Sequence, residues 1–424
     1  MSTPPPSAPP ARRQFLRRAA AIGGATLSAA AASAATPSAA APEAPLAIPP
    51  WTRQPGEPVL WHPYGEPSPF ERHVQRRSRG GAPLPGAASS MTPLQDLFGI
   101  ITPSGLVFER HHAGIPQIDP QQHRLVIHGL AQRPRIFTMD DLVRFPSVSR
   151  IHFLECSGNT GTEWAKPTSA NVQLSLGLLS CCEWTGVPLS VLLDEVGVKP
   201  EVAWVLAEGA DGAAMSRSIP IQKAFEDALV VYAQNGERLR PESGYPLRLF
   251  LPGFEGNMSI KWLRRLKLGT EPFMSREETA KYTDSLPDGN ARQFSFLMDA
   301  KSVITRPSPG HLLQGAGFYD ISGLAWSGRG RVHRVEVSVD GGRQWREARL
   351  EGPVLNRALT RFSLPWQWDG APTVLQSRVT DESGQVQPTR NQLVQARGLN
   401  SIYHYNAIQS WRVAADGSLS NVHA

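Results

Sequence analysis

Ser149-Arg150-Ile151-His152-Phe153-Leu154-Glu155-Cys156-Ser157-Gly158-Asn159-Thr160-Gly161 runs from a strand-forming segment into a loop of small residues that opens on a cysteine. A strand that stops at Glu155 leaves Cys156 at the end of a sheet. The glycines and short polar residues after it let backbone and ligand approach closely. A thiolate held there is a soft donor for a transition metal, or a nucleophile. Local sequence leaves three readings open: a metal ligand, the nucleophile of a Cys–His–acid hydrolase with His112 or His152 as base, and an inert buried thiol.

Outward from this loop the signals are mixed. Leu125-Val126-Ile127-His128-Gly129-Leu130 reads as a strand ending in a turn. Thr138 with Asp141 three residues later starts a short helix. Val187 to Val196 is expected to be a helix after Trp184-Thr185-Gly186. Trp204 to Glu208 is expected to be a strand, as is Tyr245 to Leu251 before the breaker Pro252-Gly253. No strict βαβ rhythm emerges, which favours an α+β fold over a doubly wound sheet. Beyond residue 301 the pattern turns to strands. Gly315 to Trp326 and Val332 to Val339 are candidates, then Asp340-Gly341-Gly342 as a hairpin turn, then Trp345 to Leu350, Arg361 to Trp366 and Val374 to Val379. Short strands at this spacing predict a β-sandwich. The boundary is expected at 295–310, near Pro307 and Pro309.

The chain has 424 residues, 41% hydrophobic and 19% charged, enough for more than one ordinary globular core. Its net charge is +6, but Arg12, Arg13, Arg17 and Arg18 lie in a stretch, 1–40, that has no acid. The remainder is too nearly neutral for a nucleic-acid partner. The three cysteines, Cys156, Cys181 and Cys182, leave at least one thiol unpaired within the chain. No CxxCH offers a covalent haem site, and no four-cysteine spacing offers an iron–sulfur cluster. Arg12-Arg13-Gln14-Phe15-Leu16 precedes an alanine-rich apolar run and small residues around Ala32-Ser33-Ala34. Residues 1–40 therefore read as a signal peptide of the twin-arginine form, which exports folded proteins to the periplasm. Residues 41–91, rich in Pro, Ala, Gly and Arg, read as an extended arm without a core of its own. No later apolar run is long enough to predict a membrane span.

Cys156-Ser157-Gly158-Asn159 resembles the Cys-Ala-Gly-Asn loop of the sulfite oxidase family, where the cysteine is the protein ligand to molybdenum. Further matches follow in the same order. Phe108-Glu109-Arg110-His111-His112 with Pro116 resembles a Phe-x-Arg-Asn-His…Pro segment, with His111 in place of Asn. Trp184-Thr185-Gly186-Val187-Pro188-Leu189 resembles Trp-x-Gly-x-x-Leu. Asn235-Gly236, Gly244-Tyr245-Pro246-Leu247-Arg248, Pro252-Gly253 and Lys261-Trp262-Leu263 match later signatures. Val337 to Gly342 with Trp345 resembles the family's dimerisation domain. The resemblance spans about residues 92–410.

It implies a molybdopterin-binding catalytic domain at 92–300, an immunoglobulin-like dimerisation domain at 301–424, and a molybdenum–molybdopterin cofactor. Cys156 would be metal ligand and catalytic residue. Arg110 would face the substrate, since an arginine fork suits an anion. His112, Asn159, Thr160, Arg248 and Lys261 would hold the cofactor. Two positions depart from the family. Ser243 stands where a histidine is frequent. Alignment on Ser218-Ile219-Pro220 puts Met215 where the family has an active-site tyrosine, and Arg217 beside it becomes a further catalytic candidate. The twin-arginine signal, the haem-free chain and Asn257 to Arg265 resemble the molybdenum subunits of bacterial sulfane dehydrogenases. That branch implies a carrier-bound sulfane substrate in thiosulfate oxidation. It also implies a c-type cytochrome partner, a homodimer through the C-terminal domain and a two-plus-two heterotetramer. The alternatives are oxidation of free sulfite, methionine-sulfoxide reduction, which the C-terminal β domain disfavours, and a binding subunit without chemistry, which Cys156 disfavours.

Overall fold

The computed structural model describes residues 64–78, 86–167 and 171–424. The signal segment read at 1–40 and residues 41–63 and 79–85 of the arm lie outside the described residues. In chain order, the first half supplies β1 (Leu125–Gly129), β2 (Arg135–Phe137), β3 (Val148–Glu155), β4 (Leu179–Pro188) and β5 (Trp204–Gly209). It continues with β6 (Ser216–Pro220), β7 (Leu229–Gln234), β8 (Glu237–Arg238), β9 (Arg248–Phe250) and β10 (Leu263–Gly269). They form two five-stranded sheets, ordered β2-β1-β10-β5-β6 and β8-β7-β4-β3, with β9 also on β7. The β1–β10 ladder is parallel. Helices α1 (Met139–Leu142), α2 (Val172–Leu176), α3 (Leu189–Val196) and α4 (Ile221–Glu226) connect the strands. Leu125 and Ile127 alternate inward on β1 to meet Leu192, Leu193, Val230, Leu249 and Leu266 in one core. At α1 the expected capping box is present: Asp141 N–H donates to Thr138 Oγ1 (3.1 Å) and Thr138 N–H to Asp141 Oδ2 (2.9 Å).

The cysteine-bearing strand β3 pairs along its length with β4, from Val148 opposite Gly186 to Glu155 opposite Leu179. Its two faces enter different cores. Phe153 packs with the second half of the chain, and Leu154 packs with Trp184 and Phe250. Cys181 and Cys182 divide in the same way on β4, and all three cysteines are free. Neighbouring strand residues point to opposite faces, so these two thiols do not meet.

Two expected elements of the first half differ. Val187 and Pro188 complete β4, and the helix begins only at Leu189. Helical spacing of the leucines starts there, while Val187 still pairs with Val230. In Tyr245–Leu251 only Arg248–Phe250 is strand, because Tyr245 N–H turns back to Arg240 O (3.3 Å).

The second half supplies β11 (Lys301–Arg306), β12 (Gly317–Trp326), β13 (Val332–Ser338), β14 (Arg346–Glu347) and β15 (Arg349–Glu351). After these come β16 (Thr360–Trp368), β17 (Thr373–Asp381), β18 (Ser410–Val413) and β19 (Leu419–Val422). Two antiparallel sheets, β11-β12-β16-β15 and β14-β13-β17-β18-β19, face each other across Val303, Leu324, Val335, Phe362, Leu375 and Trp411. After Ser338 the chain turns at Asp340, whose Oδ1 accepts from Arg343 and Gln344 N–H (3.0 Å each). This is the α+β body followed by a β-sandwich that the sequence predicts. The sandwich core takes in Phe153, Leu179 and Cys181 from β3 and β4, so the cysteine strand is packed against it. Among the described residues no helix is long and apolar enough to cross a membrane.

Gly186 shows why Trp-x-Gly occurs on β4. A Cβ there would lie 2.2 Å from Val230 O on the neighbouring strand. Gly186→Ala is expected to cost about 2 kcal/mol through this overpacking. Thermal or denaturant unfolding would reveal it, and an unchanged midpoint would contradict the tight crossing of β4 and β7.

Candidate active site

Cys156 lies just past the end of β3, with its N–H bonded to Leu178 O (3.0 Å) and its side chain on the wall of a cleft of about 80 Å³. Burial raises the thiol's pKa, opposed by the Gly158 N–H and by the field of Arg110. The facing wall comes from three segments. Glu109–Arg110 pairs as a short strand with Ser89–Ser90, which places Arg110, His111 and His112 along one edge. Ser243 and Arg248 come from around β9. Gly256 to Trp262 closes the cleft, and a Cβ on Gly256 would meet Glu155 O at 2.8 Å.

The cleft is rich in cations. Arg248 is only 2% exposed. It donates to Ser243 O (2.9 Å) and Ser259 O (3.1 Å), and its guanidinium lies 5.0 Å from the Trp184 ring centre. Its Nε–H has no partner, and no carboxylate among the described residues pairs with it. Burial lowers its pKa to about 10. Lys261 Nζ donates to Arg110 O (3.1 Å), Glu242 O (3.1 Å) and His111 Nδ1 (2.8 Å). The last bond leaves the His111 proton on Nε2, towards Glu109 Oε2 at 3.5 Å. Burial, reinforced by Arg248, pulls the Lys261 pKa well below the ordinary lysine value. Arg110 is half-buried and bonds His111 O. Asp211 and Glu242 are the acids on this wall. Glu242 pairs with Arg76 (3.3 Å) and so is answered within the wall.

A tyrosine from another segment stands in the cleft. Met215 does line the cleft, and so does Tyr282, whose hydroxyl shares a 2.9 Å hydrogen bond with His112 Nε2. Tyr282 precedes Ser285-Leu286-Pro287, a second segment of the kind used for the alignment on Ser218-Ile219-Pro220. Burial raises the Tyr282 pKa, so the phenol stays protonated. Arg217 does not line the cleft. It is fully buried behind Tyr282, 5.2 Å from that ring centre, bonded to Asn257 and Glu255 with Glu278 nearby. Asn257 Nδ2 in turn donates to Ser157 Oγ (2.9 Å) in the cysteine loop.

Asn159 and Thr160 also stand off the cleft. Asn159 donates to Glu155 Oε1 (2.9 Å) and accepts from Leu178 N–H (3.2 Å). Thr160 Oγ1 accepts from Lys301 Nζ (2.8 Å). Their polar atoms brace the loop from behind. The structure thus brings Cys156, Arg110, His112, Arg248 and Lys261 together and sets Arg217, Asn159 and Thr160 in the layer behind them. His111, Asn257 and Tyr282 were not among the sequence candidates. The run Arg110-His111-His112 and the Ser-Leu-Pro after Tyr282 were the available signals.

Residues 112–277 match the oxidoreductase molybdopterin-binding domain, and residues 292–411 match the Mo-co oxidoreductase dimerisation domain. The protein is a molybdopterin-dependent oxidoreductase. The crystal structure of the sulfane dehydrogenase SoxCD from Paracoccus pantotrophus superposes with a TM-score of 0.87 at 49% identity, covering 89% of this chain and 97% of that one. Mitochondrial sulfite oxidase from Mus musculus is 34% identical over 273 residues, 60% of this chain and 50% of its own length. The NADH nitrate reductase of Ulva prolifera is 32% identical over 283 residues, 58% of this chain and 32% of its own length. This chain belongs to the sulfite oxidase family of molybdenum enzymes, and it spans about half the length of the curated sulfite oxidases it matches.

The residues present fit the cofactor. A buried guanidinium with an orphaned N–H is costly unless an anion answers it. Arg248 stands ready for an anionic group, Lys261 and His111 line the same space, and the Cys156 sulfur opens on it.

The neighbouring histidines carry a pH signature. Burial, followed by Arg110, Lys281, Lys261 and Arg276, lowers His112 from 6.5 to about 4. Burial likewise lowers His152 to about 4, against its bonds to Asn356 O and Arg357 O. Between those values the unfolded chain binds the more protons. The stability these groups contribute is therefore complete above 6.5 and lost as pH falls towards 4. The unfolding temperature is expected to decline across that window, and less steeply in His152→Asn. Equal slopes for parent and variant would count against a neutral buried His152.

Proposed function

We propose that this chain is the molybdenum-bearing subunit of a periplasmic sulfane dehydrogenase. It would act on sulfane sulfur held on a carrier protein during thiosulfate oxidation and pass electrons to a c-type cytochrome partner. The observation that carries the reading is the Cys156 thiol on the wall of a cation-lined cleft, in a chain 49% identical to a sulfane dehydrogenase. Cys156 would ligate the metal, and Arg248 and Lys261 would hold the anionic cofactor, with His111 and His112 beside them. When bound, molybdenum–molybdopterin supplies two-electron redox and oxygen-transfer chemistry that no side chain offers. The protein's part is binding, orientation and field. Arg110 draws an anionic sulfur substrate towards the Cys156 end of the cleft. Tyr282 keeps its proton and offers an O–H donor, and neutral His112 fixes that hydroxyl. Arg217 acts behind the ring, as a cation under its face. Asn159 and Thr160 keep the loop in shape. No CxxCH occurs in this sequence, so electrons would leave through another carrier, here the c-type cytochrome. Pairing through the second half with one cytochrome per subunit gives a two-plus-two assembly. The Arg12-Arg13 signal accounts for export of a folded, loaded protein.

Protein matured in a host that makes molybdopterin is expected to contain about one molybdenum per chain, and Cys156→Ser is expected to lose it. Parental metal in the serine variant would refute the ligand assignment. Steady-state assays with a sulfane-loaded carrier protein and with free sulfite decide the substrate. Turnover of sulfite alone would replace the proposal with a sulfite dehydrogenase.

A further inference from the structure

We propose that Lys301, the first residue of the sandwich's first strand, is a positioning residue for Cys156. Lys301 is 2% exposed, and its ammonium spans both ends of the cysteine loop, 3.0 Å from Glu155 Oε1 and 2.8 Å from Thr160 Oγ1. Glu155 directly precedes Cys156 and is fully buried. Its other oxygen accepts from Trp326 Nε1 (2.7 Å), also in the sandwich, and Oε1 accepts from Asn159 Nδ2 (2.9 Å). Thr160 holds a left-handed backbone, φ 66°, which a β-branched residue adopts only when its surroundings enforce it. The lysine bond is such an enforcement.

The rest of the loop is tied as well. Asn159 N–H bonds Cys156 O (2.9 Å), and His404 N–H bonds Ser157 O (2.8 Å). The Cys156 sulfur is left as the loop's face to the cleft. A ligand atom must be held within roughly half an ångström of its working place, and a loop released at one end cannot do this. The sandwich therefore sets whether the catalytic half can present its ligand.

This inference rests on Cys156 being the cofactor ligand, and the molybdenum content of the parent tests that reading separately. Lys301→Met keeps the stem and removes the charge, and Thr160→Val removes one of the two anchors with no change of shape. Iodoacetamide labelling of the full chain, grown without molybdate, measures access to Cys156 against the sealed controls Cys181 and Cys182. Lys301→Met is expected to label at Cys156 at least about tenfold faster, with both controls silent. Its molybdenum content after maturation with molybdate is expected to fall by about tenfold or more. Thr160→Val is expected to shift both readouts in the same direction by a smaller factor. Parental labelling and metal content in Lys301→Met would overturn the proposal. So would labelling of Cys181 and Cys182 alongside Cys156, which marks general loosening. If Lys301→Met does not fold, parental values in Thr160→Val would overturn it.

Discussion

A carboxylate sealed from water beside the Cys156 sulfur is the constraint on which this structure turns. Glu155 has no exposed surface, and a lone buried charge would be strongly destabilising. Its partners are Lys301, Trp326 and Asn159. Two of the three belong to the second half of the chain. The β-sandwich is thus more than an appended dimerisation module, because it completes the electrostatics of the strand that ends in Cys156. The shared core says the same in apolar terms, since Phe153 and Cys181 sit among sandwich residues.

Cations around the site sort by their answering groups. Arg217 and Lys301 are buried with carboxylates and hold the scaffold. Arg248 is buried with only carbonyl oxygens and an aromatic face, and one N–H has nothing to bond. Only the second kind leaves charge for a ligand. Lys261 is intermediate: carbonyl oxygens and a histidine take its protons, and no acid pairs with it among the described residues.

Much of the fold was legible because the decisive patterns are local. The capping box at Thr138, the alternation of Val335 and Val337 and the strand into Cys156 each lie within a few residues. The end of β4 was misread because Val187 to Val196 contains helical spacing from Leu189 onward, and only pairing with β7 shows that Val187 is still strand. The cleft-facing role of Arg110, His112, Arg248 and Lys261 was reachable through motifs. The layer behind them was not. Arg217 faces Glu255 and Glu278 across long sequence separations, and nothing near Arg217 marks it as paired. Tyr282 was obscured by a duplicated cue, since two Ser-x-Pro segments compete for one alignment.

The loop's distant anchors also order events in the chain's birth. Glu155 waits for a lysine 146 positions downstream, and Glu163, at the loop's far side, takes Asn421 Nδ2 at 2.8 Å from 258 positions downstream. While the ribosome is still making the sandwich, both carboxylates lack these partners and the loop cannot hold its final form. The loop therefore reaches its final form only after translation has passed the sandwich, and any group that needs the finished loop can enter only then.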